Sequence, residues 1–286
     1  ALGDAKVEEI NYSDLRISAG DIGSGSFGVV RHAVWRGMDV AVKVLREADE
    51  IDVMNEVNAM ARVSNHDCVV RLCGIVREPF AIVSKFLPHG SVENLLVGKD
   101  REKLPTNIVA KMAADAAAGV SHLHHHGIIH RDLASRNLLV DDNFRVQVAD
   151  FGLARVKETG RAVGRTYSDI GAIRYFAPES FRKEYSEKTD VYAFGVTLWE
   201  MFVGRVPWEE LELWEVADAV RSGRKLEVPP EVPPPIKDLI EQCFLDEPSE
   251  RPSMEEIHAK LAEFATPTPE EEEEEEEEGG EEGEEE

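Results

Sequence analysis

The stretch Ile-Ile-His-Arg-Asp-Leu-Ala-Ser-Arg-Asn occupies residues 128–137, and we expect it to form a loop. It places Asp132 and Asn137 five residues apart, and a second acidic residue, Asp150, follows thirteen residues after the asparagine. Two carboxylates and a carboxamide, once brought together, suit a hard cation such as Mg²⁺ and an incoming hydroxyl group. The spacing therefore predicts a site where a metal ion and a hydroxyl substrate meet.

A glycine-rich run spans residues 22–30, with glycines at positions 23, 25 and 28. A dinucleotide-binding turn would need a helix to begin at Gly28. Val29 and Val30 follow instead, and β-branched residues favour an extended strand. The run is therefore typical of a hairpin whose backbone amides approach phosphate oxygens, with an ordinary hairpin turn as the alternative.

A lysine, Lys43, ends the apolar strand-like run Val40-Ala41-Val42. A buried lysine costs free energy unless an opposite charge pairs with it, so a counter-ion is expected nearby. Residues 51–63 carry apolar side chains at helical spacing, and Glu56 lies among them. We interpret Glu56 as the partner of Lys43; a solvent-exposed helix face is the alternative.

The composition excludes some classes of function. The chain has 286 residues, 42% of them hydrophobic, and a net charge of −25. Fourteen glutamates lie in residues 270–286, yet the remainder is acidic too, so a nucleic-acid partner is not expected. The three cysteines show no CxxC spacing and are interpreted as reduced thiols, which favours a cytoplasmic location, either alone or as the intracellular part of a longer protein. No apolar run approaches the ~18 residues of a membrane span.

Four histidines, at positions 122, 124, 125 and 126, crowd the end of a helix predicted over residues 107–122. Metal binding is one interpretation. The spacing does not provide two histidines on one helix face together with a carboxylate, which such a site needs. We therefore interpret the histidines as a polar helix C-terminus, where the helix dipole favours positive charge.

The order His130-Arg131-Asp132, then Asn137, then Asp150-Phe151-Gly152 resembles the catalytic and metal loops of eukaryotic protein kinases. The chain is similar to the tyrosine-kinase and tyrosine-kinase-like group over about residues 15–264. The resemblance implies an α+β, bilobal fold. A small antiparallel-sheet lobe with one main helix would cover residues 15–87, and a larger, mostly helical lobe would cover residues 88–264. Residues 1–14 would be a lead-in, and residues 265–286 a disordered acidic tail.

The resemblance also implies a role for each site residue, with ATP and Mg²⁺ as cofactors and proteins as substrates. Asp132 would accept the hydroxyl proton, Lys43 paired with Glu56 would hold the phosphates, and Arg136 would assist. Asn137 and Asp150 would bind the metal. The ATP pocket would be lined by Ile22, Gly23, Gly25, Ser26, Phe27, Gly28, Val30, Ala41, Lys43, Lys85, Phe86, Leu87 and Leu139.

Two alanines bear on which hydroxyl is used. Serine/threonine kinases usually carry a lysine where this chain has Ala134 and a threonine where it has Ala172, whereas Arg136 resembles the tyrosine-kinase pattern. Tyr175 departs from the tryptophan usual in tyrosine kinases. We expect a preference for tyrosine, with a serine/threonine or dual-specificity kinase as the alternative and a pseudokinase scaffold as a remote one.

The segment from Asp150 to Glu179 resembles a kinase activation segment. We expect phosphorylation at Tyr167 to switch on the kinase activity, with Arg131 binding the new phosphate. Arg155 and Arg174 could add further contacts. Glu179 is expected to form a bidentate pair with Arg251. Asp190, at the start of an apolar helix, is expected to cap that helix and to brace the catalytic loop.

Overall fold

The computed structural model describes residues 7–25, 28–45, 50–98, 101, 103–150, 155–156 and 172–266, with only the backbone described at 24–25, 50–53, 55–56 and 155–156. An antiparallel sheet with one helix forms a first lobe, and a second lobe is mostly helical. The α+β, bilobal fold predicted from the sequence is therefore confirmed. Within the described residues, no helix is both long enough and apolar enough to cross a membrane.

The sheet of the first lobe has six strands in the order β1-β3-β4-β6-β5, with β2 paired to β3. Their bounds are β1 Arg16–Ile17, β2 Gly23–Gly25, β3 Gly28–Trp35, β4 Met38–Leu45, β5 Leu72–Val76 and β6 Ala81–Lys85. Val40 and Val42, two residues apart on β4, are both buried because alternate side chains of a strand point to the same face. Helix α1, Glu50–Val63, follows β4 and contacts β5.

The second lobe contains six further helices and two small strand pairs among the described residues. The helices are α2 Val92–Leu96, α3 Thr106–His125, α4 Glu187–Val203, α5 Leu213–Arg221, α6 Pro234–Cys243 and α7 Met254–Ala265. The strands are β7 Ile128–Ile129, paired with β10 Arg155–Val156, and β8 Leu138–Val140, paired with β9 Val146–Val148. Short 3-10 turns lie at Tyr12–Asp14, Ser135–Asn137, Ile173–Tyr175, Pro178–Arg182 and Pro248–Glu250.

Helix α4 runs through the core of the second lobe. Ser186 caps its first turn by accepting a hydrogen bond from the backbone N–H of Lys188, and Gly204 ends it in a left-handed conformation. The prediction that Asp190 caps this helix is wrong, because Asp190 lies inside the helix and its carboxylate faces the catalytic loop instead. The bracing role predicted for the same residue is described below.

Part of the predicted lead-in is attached to the sheet. The backbone N–H of Ile10 donates to the carbonyl of Ile75 on β5 at 2.8 Å, and Ile75 donates back to the carbonyl of Glu8 at 2.9 Å. Ile10 and Leu15 are buried in the core of the first lobe. The chain preceding β1 therefore covers the edge of β5, which would otherwise present unpaired backbone groups.

Gly119 on helix α3 allows close contact with the loop that follows α1. A Cβ atom at this position would lie 2.3 Å from the carbonyl oxygen of Cys68 and 2.6 Å from a methyl carbon of Val148. The nearest neighbour is backbone and cannot rotate away. The lack of a side chain at residue 119 is thus what lets the loop lie on the helix.

We predict that Gly119→Ala lowers the free energy of unfolding by about 1–3 kcal/mol, the usual effect of forcing atoms into a packed core. This outcome is informative because alanine otherwise stabilises a helix interior by roughly 0.5–1 kcal/mol relative to glycine. Calorimetric unfolding would measure the effect, with exposed Lys111→Ala on the same helix as the control. A more stable Gly119→Ala variant would contradict the packing described here.

Candidate functional site

A buried carboxylate holds the catalytic loop. Asp190 of α4 is 1% exposed and accepts hydrogen bonds from the backbone N–H groups of His130 and Arg131 at 2.8 and 2.9 Å. The imidazole Nε2 of His124, at the end of α3, lies 2.9 Å from the same carboxylate. Burial acts to raise the pKa of Asp190, but the hydrogen bond and charge of His124 outweigh it, so the pKa lies below its ordinary value. Asp190 therefore remains ionised and braces the loop.

Asp132 lies at the centre of this loop and is held by two side chains. Nη2 of Arg136 is 2.5 Å from Oδ1 of Asp132, and Nδ2 of Asn137 donates to Oδ2 at 3.0 Å. Asn137 also donates to the backbone carbonyl of Asp132 at 2.6 Å. The 3-10 turn at residues 135–137 brings both partners back onto the aspartate. One carboxylate is thus positioned by a cation and an amide at the same time.

Asp150 joins the two lobes through an ion pair. Nζ of Lys43, on β4, donates to Oδ1 of Asp150. Burial would raise the pKa of Asp150, but the charge and hydrogen bond of Lys43 overcome that effect and lower it. Asp150 and Arg131 both have left-handed backbone conformations, with φ of 60° and 68°. Such conformations are uncommon outside glycine and are often found at functional sites.

The pairing predicted for Glu56 falls partly outside what the structure describes. Its backbone belongs to α1, as the sequence predicts, but its side chain is not among the described atoms. The role of Glu56 as partner of Lys43 therefore stays a prediction.

The glycine-rich run forms a hairpin over the site. Gly23 pairs with Val30 across the β2–β3 turn, and Val30 pairs with Lys43 across β3–β4. Gly28 has a φ of 153°, and a Cβ there would lie 1.9 Å from the carbonyl oxygen of Val44. Ile22 is exposed at the open end of the hairpin. Ser26 and Phe27, at the tip, lie outside the described residues.

The connection between the lobes lies opposite this hairpin. Lys85 ends β6, which pairs with β4 so that Ala41 faces Ser84. Phe86 packs edge-on against the ring of His32, with centroids 4.7 Å apart. Leu87 is buried in a small apolar cluster with Val70 and Ala149, against which Leu139 of β8 packs. The contacts of Leu87 and Leu139 thus form a small apolar cluster just after β6, and their part in holding an adenine ring stays a prediction.

The donor set fits magnesium bound through few protein ligands. Asn137 and Asp150 offer oxygen atoms, which Mg²⁺ prefers, and Mg²⁺ usually completes its shell with water and substrate phosphates. Among the residues that the structure describes, no cluster of three or more histidine, cysteine or acidic side chains is arranged to hold a metal alone. Gly28 lies tight against the backbone of Val44, so a side chain at this position of the hairpin would not fit.

A buried ion pair anchors the end of the segment that resembles a kinase activation segment. Nη1 and Nη2 of Arg251 lie 2.5 and 3.0 Å from the two carboxylate oxygens of Glu179. Arg251 also donates to the backbone carbonyls of Leu245 and Lys188, both at 2.9 Å. All these contacts are buried or partly buried, so the pair links the 3-10 turn at residues 178–182 to the helices beneath it.

Two residues of the activation segment have partners that sequence reasoning missed. Arg174, which could add a contact to a phosphate, donates to the backbone carbonyls of Pro207 and Trp208 at 2.8 and 2.5 Å, so its contact with a phosphate stays a prediction. Tyr175 is buried, and its hydroxyl donates to Oε2 of Glu200 at 2.8 Å. The guanidinium of Arg136 lies 5.3 Å from the centre of the Tyr175 ring. A chain of contacts thus runs from Asp132 through Arg136 and Tyr175 to Glu200.

The expected receiver of an activating phosphate is already engaged. The guanidinium of Arg131 lies 5.1 Å from the centre of the Tyr185 ring, within cation–π distance. Tyr167 lies outside the described residues, and only the backbone of Arg155 is described, paired with Ile129. A switch at Tyr167 would therefore have to draw Arg131 away from an existing contact.

Comparison with known proteins agrees with the geometry. The sequence profile described as protein tyrosine and serine/threonine kinase matches residues 17–261. The serine/threonine-protein kinase CTR1 of Arabidopsis thaliana is 40% identical over 261 residues, covering 87% of this chain and 31% of that protein. The tyrosine-protein kinase Abl of Drosophila melanogaster is 38% identical over 248 residues, covering 84% of this chain and 15% of that protein.

A third relative, the tyrosine-protein kinase ZAP-70 of Mus musculus, is 32% identical over 273 residues, covering 89% of this chain and 43% of that protein. This chain therefore spans well under half the length of each of these relatives. The family match covers most of the chain, and the chain belongs to the protein tyrosine and serine/threonine kinase family. The resemblance to protein kinases, predicted from short motifs, is confirmed.

We predict that Arg251→Ala lowers the free energy of unfolding by about 3–5 kcal/mol, because it leaves the buried Glu179 carboxylate without its partner. Thermal or urea unfolding would measure the loss. The matched control is Arg205→Ala, which removes an exposed pair with Glu209 and should cost less than about 1 kcal/mol. The double variant Glu179→Gln/Arg251→Met should recover part of the loss. Equal losses for Arg251→Ala and Arg205→Ala would contradict the burial argument.

Glu200 gives a prediction about pH. Burial raises its pKa from 4.5 to about 7, and the hydrogen bond from Tyr175 offsets only part of this shift. Between about pH 4.5 and 7 the folded state therefore binds more protons here than the unfolded state, so stability falls as pH rises. Relative to Glu200→Gln, the parent should lose up to about 3 kcal/mol between pH 5 and pH 8. Exposed Glu263→Gln is the control, and a parallel pH dependence of parent and Glu200→Gln would refute the shift.

Proposed function

We propose that this protein is an ATP- and Mg²⁺-dependent protein kinase that transfers the γ-phosphoryl group to hydroxyl groups of proteins, with tyrosine preferred. The observation that carries the proposal is the arrangement of Asp132. Its carboxylate is held by Arg136 and Asn137, on a loop that Asp190 braces. The backbone N–H of Ala149, next to the Lys43–Asp150 pair, donates to the carbonyl of Asn137 at 2.9 Å. Phosphoryl transfer depends mainly on such positioning and on neutralised charge.

Each residue of the site has a distinct part in this proposal. Lys43 places a positive charge where the phosphates of ATP would lie, and the hairpin of residues 22–30 covers them. Asn137 and Asp150 would hold Mg²⁺, which, when bound, neutralises the charge that develops on phosphate oxygens. Asp132 orients the substrate hydroxyl and accepts its proton. The apolar cluster that includes Leu87 and Leu139 would hold the adenine.

The preference for tyrosine rests on three side chains. Ala134 and Ala172 are buried and offer no polar group to Asp132, whereas Arg136 contacts its carboxylate directly. A phenol places its oxygen farther from the peptide backbone than serine does, and Arg136 can reach toward it. The 40% identical plant relative is named a serine/threonine kinase, which favours serine/threonine or dual specificity as the second candidate. A pseudokinase is the remote alternative, and the presence of Lys43, Asp132 and Asp150 counts against it.

We further propose that the kinase domain covers about residues 15–264 and that Tyr167 is its activating phosphorylation site. Leu15 is buried and helix α7 ends at Ala265, which supports these bounds, and the segment with buried Ile10 packs on the sheet just before them. The three cysteines are free thiols, which supports a reducing, cytoplasmic location. The acidic composition disfavours nucleic acid as a partner, and proteins are the proposed substrates.

We predict that Lys43→Met and Asp132→Asn each lower the rate of phosphoryl transfer by about 10²–10⁴, the usual loss when a positioned charge or general base is removed. Purified variants would be assayed with Mg-ATP and a mixed peptide library, and their melting temperatures would be compared with that of the parent. Exposed Lys111→Met is the control for loss of a lysine. Near-parental turnover by either variant would exclude the proposed mechanism.

We predict that mass spectrometry of the phosphorylated peptides finds phosphotyrosine in preference to phosphoserine and phosphothreonine. The double variant Ala134→Lys/Ala172→Thr should reduce the tyrosine preference, measured as a ratio of kcat/KM values, by about tenfold or more, because it adds polar groups beside Asp132. The Asp132→Asn variant supplies the background. Mainly phosphoserine and phosphothreonine from the parent would instead favour the second candidate.

A further inference from the structure

Two imidazole rings stack, and a third contacts them at a tilt, where the loop after α1 meets the end of α3. The ring of His66 lies 4.4 Å from that of His122, with 23° between the planes, and the ring of His122 lies 4.4 Å from that of His126 at 50°. His66 and His122 are half-buried, and His126 is exposed. The sequence predicts only a polar terminus for α3, and His66 comes from a different part of the chain.

The loop that carries His66, residues 64–71, belongs to the first lobe and contacts the second. Nδ1 of His66 accepts a hydrogen bond from the backbone N–H of Cys68 at 3.2 Å, and the carbonyl of Cys68 accepts one from Val148 of β9 at 2.9 Å. Before this loop lies α1, which carries Glu56. After the stacked end of α3 come β7 and the catalytic loop. The stack therefore joins the base of α1 to the segment that leads to Asp132.

Several elements present charged or titratable groups to the stack. Asp67, on the same loop, favours the charged form of His66, while His126 and His258 oppose it. His125 opposes the charged form of His122 and itself lies 3.9 Å from Glu255 of α7. The groups that face the stack are Arg62 of α1, Asp67 of the loop, His125 and His126 of α3, and Glu255 and His258 of α7. Among these groups Arg62 is a fixed cation and Asp67 and Glu255 are anions, so the fixed charges alone would favour positive charge in the stack. Burial of His66 and His122 outweighs this effect and disfavours their charged forms.

We propose that the stacked rings of His66 and His122 form a proton-sensitive junction, which holds residues 64–71 on helix α3 while both rings are neutral and releases them when the rings are protonated. Stacked neutral rings attract one another, whereas two imidazolium ions at this distance repel. The junction thereby links pH to the position of α1. Its effect on phosphoryl transfer rests on the proposed function, but its effect on stability does not.

The direction of the pH effect follows from burial. Loss of solvent is the main cause that lowers the pKa of both His66 and His122 below the ordinary 6.5. The released or unfolded chain therefore binds more protons at these rings than the folded chain. Their contribution to stability is full at neutral pH and is lost as pH falls through 6.5 toward the lowered values. This direction is opposite to that of Glu200, so variants must be compared with the parent at each pH.

The experiment uses the full chain with two variants of His122. His122→Phe keeps a ring but cannot be protonated, and His122→Gln keeps a polar side chain that cannot be protonated in this pH range. The control is Lys111→Gln, an exposed position on the same helix eleven residues before His122. Between pH 7.5 and pH 5.5, the parent and the control should lose about 2–4 °C more in melting temperature than either His122 variant. The same pH dependence in the parent and both His122 variants would overturn the proposal.

A second measurement does not depend on the folding of any variant. Histidine ring signals of the parent, followed by NMR through the same pH range, should show titration midpoints for His66 and His122 below 6.5. Midpoints at or above this value would also overturn the junction. Kinase activity of the parent should fall more steeply toward pH 5.5 than that of His122→Phe. A parent that is inactive at both pH values would contradict the proposed function, while the melting and NMR results would still decide the junction.

Discussion

The site depends on one buried carboxylate, that of Asp190. A charge in the interior is tolerated only when its oxygen atoms are hydrogen-bonded, and Asp190 meets this condition by taking two backbone N–H groups from the catalytic loop and a contact from His124. Those bonds hold Arg131 in its left-handed conformation, which turns the following residue, Asp132, toward the cleft. The rigid helix α4 thus sets the position of a loop that has little regular structure of its own.

Two buried carboxylates on the same helix illustrate how environment decides charge. Asp190 has several donors, and its pKa lies below the ordinary value. Glu200, ten residues later, is also buried, but burial outweighs its bond from Tyr175 and raises its pKa to about 7. Burial alone would favour the neutral form of both. The two pKa values move in opposite directions because the fold supplies donors of different number and charge to the two carboxylates.

The ion pairs of the molecule differ in what they stabilise. Glu179–Arg251 is buried and bidentate, so loss of one partner would leave a charge without solvent or counter-ion. Lys43–Asp150 joins the two lobes and is partly exposed, with 46% of the Asp150 side chain open to solvent. Exposed pairs such as Arg182–Glu184 contribute little because solvent screens them. The ion pair whose loss should lower stability most is therefore the buried one, which holds the chain in one conformation.

The sequence by itself determined the family, the two-lobed fold, the hairpin of residues 22–30 and the order of the catalytic motifs, because these depend on local periodicity and on short motifs. It predicted that Asp190 braces the catalytic loop, but it did not determine what Arg174 and Glu200 contact, or that His66 meets His122. It also predicted wrongly that Asp190 caps its own helix, because sequence shows local neighbours more readily than distant ones. The partners of these residues lie far away along the chain: Arg174 and Pro207 are 33 positions apart, and Tyr175 and Glu200 are 25 apart. Only tertiary packing brings such residues together, because burial forces each polar group to find a partner wherever the fold provides one.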